Sequence, residues 1–400
     1  RDGLENIGAD LAGINKNILN IRTILDTIYN DMPKVTGEGI EVILTPTRKG
    51  RLALIPKGNS IQEGEPTPTS PIPIKSVTGD NNVVVNNINL LDITDIRNDI
   101  INNNGTTRKG YAVKAPFTAT YYVTFKEVTR TYYYGKSTDL TQSSSNLGYA
   151  STSNTPKTAT ISLAKDEYFV IWCDNNVTPN ISDKIMLSWI DTEYVPYQNQ
   201  TKPLNLGSME LNGINTYKNL IFKAENGDTY YDSLTSEQKA LLTYGARYYH
   251  EEIGSITLNG TENWTINRTG TANWYYNLSR TTDIINETPA EVTMCDHYSI
   301  VSISTTNTNQ GLILTSSFIR VRYGTEDTIP NWKTWLSTHN VKIKYVKSTS
   351  TDIQITDTTL ISQLEDIDKM KSYEGTTIIT STYQEGNSQM ILSASSLKGE

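Results

Sequence analysis

Cysteine and histidine are scarce in this chain of 400 residues: Cys173 and Cys295, and His250, His297 and His339. Two cysteines set far apart in strand-like runs exclude a disulfide-stapled scaffold and read as buried free thiols. Three histidines at no mutual ligand spacing do not make a conventional zinc site, so no metal and no cofactor is expected. Positive charge is not in excess. The 35 Lys+Arg against 43 Asp+Glu give a net charge of -8, which removes the global basic field that nucleic-acid binding requires. No apolar run approaches the ~20 residues needed to span a bilayer, so membrane insertion is not expected. Phosphate-cradling loops of the Gly-x-Gly-x-x-Gly or Walker type are absent from the sequence. The chain opens Arg1-Asp2-Gly3 with no Met and no charged-then-apolar leader, as expected of a trimmed or partial chain.

What the chain does hold is polar and β-prone. Tyr outnumbers Phe by 24 to 5 and charged residues make up only 20%, at a mean hydropathy of -0.43. That mixture suits half-exposed pleated sheets, and the small net charge argues against disorder. At ~100–200 residues per domain, two to four folding units are expected.

One periodic signal stands out. Leu4, Ile7, Leu11, Ile14, Ile18, Ile21, Leu25 and Ile28 alternate in spacings of three and four, with Leu4, Leu11, Ile18 and Leu25 at a and the four isoleucines Ile7, Ile14, Ile21 and Ile28 at d. Such a helix would run about 38 Å and expose a bare apolar seam unless it zips to copies of itself. Ile at every d shifts the preference from two strands toward three or four. Residues 1–32 are therefore expected to form a coiled-coil oligomerisation stalk, stopped by Pro33, Gly37 and Gly39.

Residues 33–80 read as a β-hairpin followed by a stiff spacer, because Pro66, Pro68, Pro71 and Pro73 remove backbone donors and favour an extended course. Short strands between turns fill 81–203, a first antiparallel β-sandwich. A connector with a short helix at Ser236–Leu242 covers 204–252, and strands return over 253–350 as a second sandwich. A helix beginning after Asp357, with Leu360, Leu364 and Ile367 on one face, and closing strands occupy 351–400. The fold class expected is mainly β: an N-terminal coiled coil, then two tandem sandwiches with a helical connector.

Several islands resemble one family. Gly64 to Pro68 (Gly-Glu-Pro-Thr-Pro) lies within the Gly58–Val77 stretch, and Asn89-Leu90-Leu91-Asp92 opens the first sandwich. Met186-Leu187 and Tyr194-Val195-Pro196-Tyr197 close it. Glu252 to Trp264 leads into the second sandwich, and Trp332 to Asn340, Tyr345-Val346 and Ile355-Thr356-Asp357 lead out. Their order is similar to that in tail, baseplate and fibre proteins of phages infecting Gram-positive bacteria, over roughly residues 58–370. The resemblance implies a virion structural protein with carbohydrate-binding-like β-sandwiches, usually a homotrimer, and no catalytic residues. The chain departs from the family in its longer, more helical 204–252 connector and its regular N-terminal coil.

Candidates for catalytic chemistry are few. Asp166-Glu167, Glu251-Glu252 and Asp366/Asp368 are the acidic pairs a glycosidase could use, and such pairs more often sit solvated in turns. Cys295-Asp296-His297 lacks the Gly-flanked elbow of a nucleophilic triad. Sugars, by contrast, stack on aromatic rings among amides and hydroxyls. Trp264, Trp274, Tyr275 and Tyr276 cluster with Asn273, a group that fits either a sugar platform or a sandwich core. Tyr132-Tyr133-Tyr134 is a second aromatic run, of which one period-two strand cannot bury all three; Trp332 and Trp335 read as packing.

The expectation is a non-enzymatic, trimeric fibre or baseplate adhesin located on the virion. Its partners are its own copies, other phage virion proteins and host surface polysaccharide. A purely structural virion component and a polysaccharide depolymerase are the alternatives.

Overall fold

Period-two alternation builds most of the chain. In β3 (Asp80–Asn87) Asn81, Val83, Val85 and Asn87 are buried while the residues between them reach toward solvent. The computed structural model describes residues 42–44, 49–142, 144–269, 273–279, 282–301, 311–322, 328–383 and 389–398. The stalk expected over 1–32, with its seam from Leu4 to Ile28, lies outside them. The protein is mainly β, with antiparallel strands in several sheets.

The central unit is a sandwich that no single stretch of sequence announces. One sheet runs β1 (Val42–Leu44), β23 (Thr377–Tyr383), β3, β12 (Asn199–Asn205). The second runs β19 (Thr293–Cys295), β22 (Val341–Gln354), β16 (Arg247–Leu258), β15 (Leu220–Lys223), β2 (Arg51–Asn59), β24 (Gln389–Lys398). Leu52, Leu54, Val83, Val85, Ile221 and Ile379 fill the space between them. Helix α5 (Thr358–Asp368) plugs this core with Leu360, Leu364 and Ile367, its N-terminus capped by the Asp357 carboxylate on the Thr359 and Leu360 amides.

The first peripheral sandwich is an excursion between two neighbouring strands. The chain leaves β3 at Asn87 and returns in β12, where Asn199 pairs with Asn86. Asn87 and Asn89 clamp the neck by donating to the carbonyls of Pro196 (2.7 Å) and Val195 (3.0 Å). A five-stranded sheet, β4 (Arg97–Ile101), β5 (Thr107–Lys114), β10 (Tyr168–Cys173), β7 (Tyr132–Ser137), β8 (Gly148–Ala150), faces a three-stranded one, β11 (Lys184–Ser188), β6 (Ala119–Glu127), β9 (Lys157–Leu163). Tyr111, Tyr121, Phe125, Phe169 and Ile171 make the core between them.

The second peripheral sandwich grows out of the long strands β16 and β22, whose register shifts between Glu251 and Ile253. Beyond that shift they join the core of a sheet ordered β17 (Trp264–Thr269), β18 (Asn273–Ser279), β21 (Phe318–Arg322), β20 (Gly311–Leu314). Helix α4 (Ile329–His339) covers it, capped by Thr328 and ended by Asn340 in the left-handed region. The short helix α3 (Pro289–Val292) leads into β19.

Two expectations are corrected. The Pro-rich stretch does not act as a free spacer. It folds back on the second sandwich, with the Ile72 amide on the Asp296 carbonyl (2.8 Å) and the Gln62 amide on the Cys295 carbonyl (2.8 Å); the non-proline residues supply the donors the prolines lack. The 204–252 stretch is likewise more than a connector. Besides helices α1 (Thr229–Ser233) and α2 (Ser236–Ala240) it carries the hairpin β13 (Gly213–Ile214)–β14 (Tyr217–Lys218), all of β15 and the start of β16.

Candidate functional site

The outer face of the five-stranded sheet carries one exposed ring, Tyr149, beside the half-buried Tyr133 and over a small buried cluster of Ile100, Val170 and Trp172, the indole only 2% exposed. Along β7, Tyr132 and Tyr134 point into the core and Tyr133 points out. Along β10, Phe169 and Ile171 point in, and Val170 and Trp172 point out. The strand registers then align one row across all five strands: Arg97, Gly110, Trp172, Tyr133, Tyr149. Trp172 and Tyr133 stack with centroids 6.1 Å apart at 17°, and Tyr149 lies 6.1 Å from Tyr133. Four inter-strand spacings make this row about 19 Å long. Tyr149 is 51% exposed, and Leu147 beside it 50%.

A loop frames the row. Ser144, Ser145 and Leu147 donate to the carbonyls of Ile101, Lys136 and Tyr134, laying the segment across the sheet. Gly135 permits this approach, since a Cβ there would overlap the Ser145 carbonyl. Leu140 from the same loop packs on Ile100, Val170 and Trp172. It also walls a cleft of about 460 Å³ with Arg97, Asn98, Asp99, Ile101, Thr107 and Thr141, a size within the range of small-ligand sites. Arg97 grips Asp99 with two bonds, 2.9 and 2.6 Å; the hydrogen bond from Arg97 holds the Asp99 carboxyl below its ordinary range. At the other end of the row the Lys157 ammonium sits 5.3 Å over the Tyr149 ring. Tyr149, the accessible part of Tyr133, the neighbouring hydroxyls and a fixed ion pair on one shallow face can take up a polyhydroxylated chain by stacking and hydrogen bonding, with buried Trp172 backing Tyr133 from beneath.

The residues singled out from sequence fall elsewhere. Trp264 and Tyr276 are core residues, and the platform reading is withdrawn for both: Tyr276 stacks on Trp332 at 4.5 Å and 5°, and Trp264 meets the same ring edge-on at 5.5 Å. Asn273, Trp274 and Tyr275 pair through their backbones with β17, and their side chains lie outside the described part. Trp332 and Trp335 stack on each other, and His339 covers Trp335 at 4.1 Å. Of the row, only Tyr133 belonged to a run flagged in the sequence. Arg97, Trp172 and Tyr149 give no local signal, because only cross-strand register brings them together.

The acidic pairs are each tied to cations. Asp166 and Glu167 bind Lys114 and Lys136; Glu251 and Glu252 meet Lys347 and His250; Asp366 and Asp368 meet Lys369 and Arg247. Both cysteines are free and buried, and burial pushes the Cys173 thiol up to about 11 and the Cys295 thiol up to about 12. Among the described residues no cluster of three or more His, Cys, Asp or Glu could hold a metal ion, and no helix is long and apolar enough to cross a membrane.

A buried titratable cluster sits under α1. His250 is buried, with Nδ1 2.7 Å from Asp352, Nε2 3.5 Å from Glu252, and the Tyr230 hydroxyl 2.7 Å from Nδ1. Burial pulls its pKa down, but the bonds to Asp352 and Glu252 outweigh it, and the net shift is upward. A raised folded-state pKa favours the protonated fold. Its contribution is complete below the unfolded value of about 6.5 and is lost as pH climbs through the folded value. Denaturant midpoints are thus expected to fall as pH rises above about 6.5, and His250→Gln is expected to flatten that slope. An unchanged slope in the variant would contradict the assignment.

Compared with known proteins, the chain matches no protein-family model and no curated protein.

Proposed function

We propose that the protein is a non-enzymatic adhesin of a phage virion, in the tail fibre or baseplate, that binds surface glycopolymers of a Gram-positive host. The observation that carries the binding part is the outer face of the first sandwich, with the Arg97–Gly110–Trp172–Tyr133–Tyr149 row and its adjoining cleft. The phage assignment rests on the resemblance of residues 58–370. A homotrimer joined through the Leu4–Ile28 seam would gather three weak faces on one particle, and linked sites gain roughly 10²–10⁴ over one alone.

The test is binding of purified wall glycopolymer to immobilised protein. Tyr149→Ala is expected to weaken it up to about tenfold, since one aromatic contact contributes about 0.5–1.5 kcal/mol. Trp335→Phe, in the other sandwich, should leave it unchanged. Equal affinities for wild type and Tyr149→Ala would sink the assignment of the face. Light scattering is expected to give three times the 44.7 kDa chain mass; a monomer would remove the avidity.

A second reading, a purely structural virion component, draws on the burial of Trp264 and Tyr276, which leaves the second sandwich with fewer rings for a ligand. Imaging on particles separates the two, a distal tip favouring the adhesin.

A further inference from the structure

Lysine is seldom buried, and Lys344 is only 4% exposed. From β22 its side chain runs beneath the segments bearing Ser76 and Glu210–Asn212, which bridge to each other through Val77 and Leu211. Its Nζ lies 2.6 Å from Glu210 Oε1 and 2.6 Å from Ser76 Oγ, and it also contacts the side-chain oxygen of Asn212. Asn212 is itself buried. Its Oδ1 accepts from Ser76 Oγ (2.6 Å) and Ser60 Oγ (3.4 Å), while its Nδ2 donates to the Glu210 carbonyl (3.3 Å). An amine, a carboxamide and a carboxylate thus converge at one site, buried at Lys344 and Asn212 and open at Glu210, whose side chain is 39% exposed.

We propose that Lys344 and Asn212 become joined by an intramolecular isopeptide bond, with Glu210 carrying the proton. Each group meets a requirement of that reaction. A nucleophilic lysine must be neutral, and burial of Lys344 pulls its pKa down. Glu210 stands within hydrogen-bond reach to accept the ammonium proton; burial raises its carboxyl but the Lys344 ammonium outweighs this and holds it below its ordinary range, so the proton transfer runs uphill before the attack. The carboxamide carbon must be polarised, and hydroxyl donors from Ser76 and Ser60 lie at its oxygen, where charge develops in the tetrahedral intermediate.

The steps balance. Lys344 passes a proton to Glu210, and its free amine attacks Asn212 Cγ, forming the new C–N bond. The Cγ–Nδ2 bond then breaks. The leaving nitrogen takes the proton from Glu210 and departs as ammonia; Glu210, a carboxylate again, then accepts the extra proton from the Lys344 nitrogen as that nitrogen becomes the neutral amide, and this proton leaves with the ammonia as ammonium. The net change is amine plus carboxamide to secondary amide plus ammonia, with no oxidant or reductant. The reaction also abolishes a buried ammonium, and it fastens the 210–212 segment to β22. This inference does not depend on the glycan-binding proposal.

The experiment is the mass of the intact, denatured full chain. It is expected to lie one ammonia, about 17 Da, below the sequence mass. A tryptic digest is expected to yield a branched peptide in which Lys344 resists cleavage and is joined to the peptide containing Asn212. That branched peptide is decisive, because a succinimide at Asn212–Gly213 loses the same mass but leaves linear peptides. Lys344→Arg and Glu210→Gln are each expected to restore the full mass. A wild-type chain at its full sequence mass, a deficit carried only by linear peptides, or a deficit that persists in Lys344→Arg would overturn the proposal.

Discussion

Trp332→Ala is expected to destabilise the second sandwich by about 3–5 kcal/mol, the usual cost of truncating a buried large aromatic. Trp332 is 1% exposed and sits between two parallel rings, Tyr276 at 4.5 Å and Trp335 at 5.4 Å, with Trp264 against it edge-on at 5.5 Å. Removing the indole leaves a void that three neighbours from separate elements cannot close together. Part of the loss comes from the stacked pairs, each about 0.5–1.5 kcal/mol beyond burial. Trp332→Phe, which keeps one ring, should recover a good share. Urea unfolding followed by tryptophan fluorescence is the measurement, and a loss below about 1 kcal/mol would show that the stack does not hold this core.

Breaking the Arg247–Asp368 pair is expected to cost about as much, 3–5 kcal/mol, roughly what an uncompensated buried charge costs. The two side chains meet at 2.5 Å and are 6% and 11% exposed. They tie α5 to the first residue of β16, and Arg51 adds a bond to the Asp368 carbonyl. Asp368→Leu strands the guanidinium, and Arg247→Met strands the carboxylate. The double variant Arg247→Met/Asp368→Leu strands neither, so it is expected to regain most of the loss or to exceed the wild type. Additive losses in the double variant would mean that the pair is not the source of the effect.

What the sequence disclosed follows from how local each signal is. Helix α5 is legible because its cap, Asp357, and its apolar face, Leu360, Leu364 and Ile367, lie within eleven residues. The β character is legible in the Tyr- and Thr-rich composition. The central sandwich is not, because β3 pairs with β23, and Val85 meets Ile379 from the far end of the chain. No window of sequence holds that register. The aromatic group from Trp264 to Tyr276 could be found by proximity, but what covers Trp264 and Tyr276 is Trp332 from α4. The row on the first sandwich illustrates the opposite case. Tyr132-Tyr133-Tyr134 announced that one ring must face outward, while its companions Trp172 and Tyr149 come from other strands.

The central claim is that the outer face of the first sandwich receives the glycan, and the six tryptophans offer a direct reading. With indole nitrogens labelled, wall glycopolymer fragments are titrated into the intact protein and the indole resonances followed. Trp172 is itself buried but stacks directly beneath Tyr133 in the row, so a glycan seated on Tyr133 and Tyr149 is expected to shift its resonance, while Trp264 and Trp332 in the second sandwich stay in place. Shifts confined to the tryptophans of the second sandwich, or none at saturating glycan, would contradict the account.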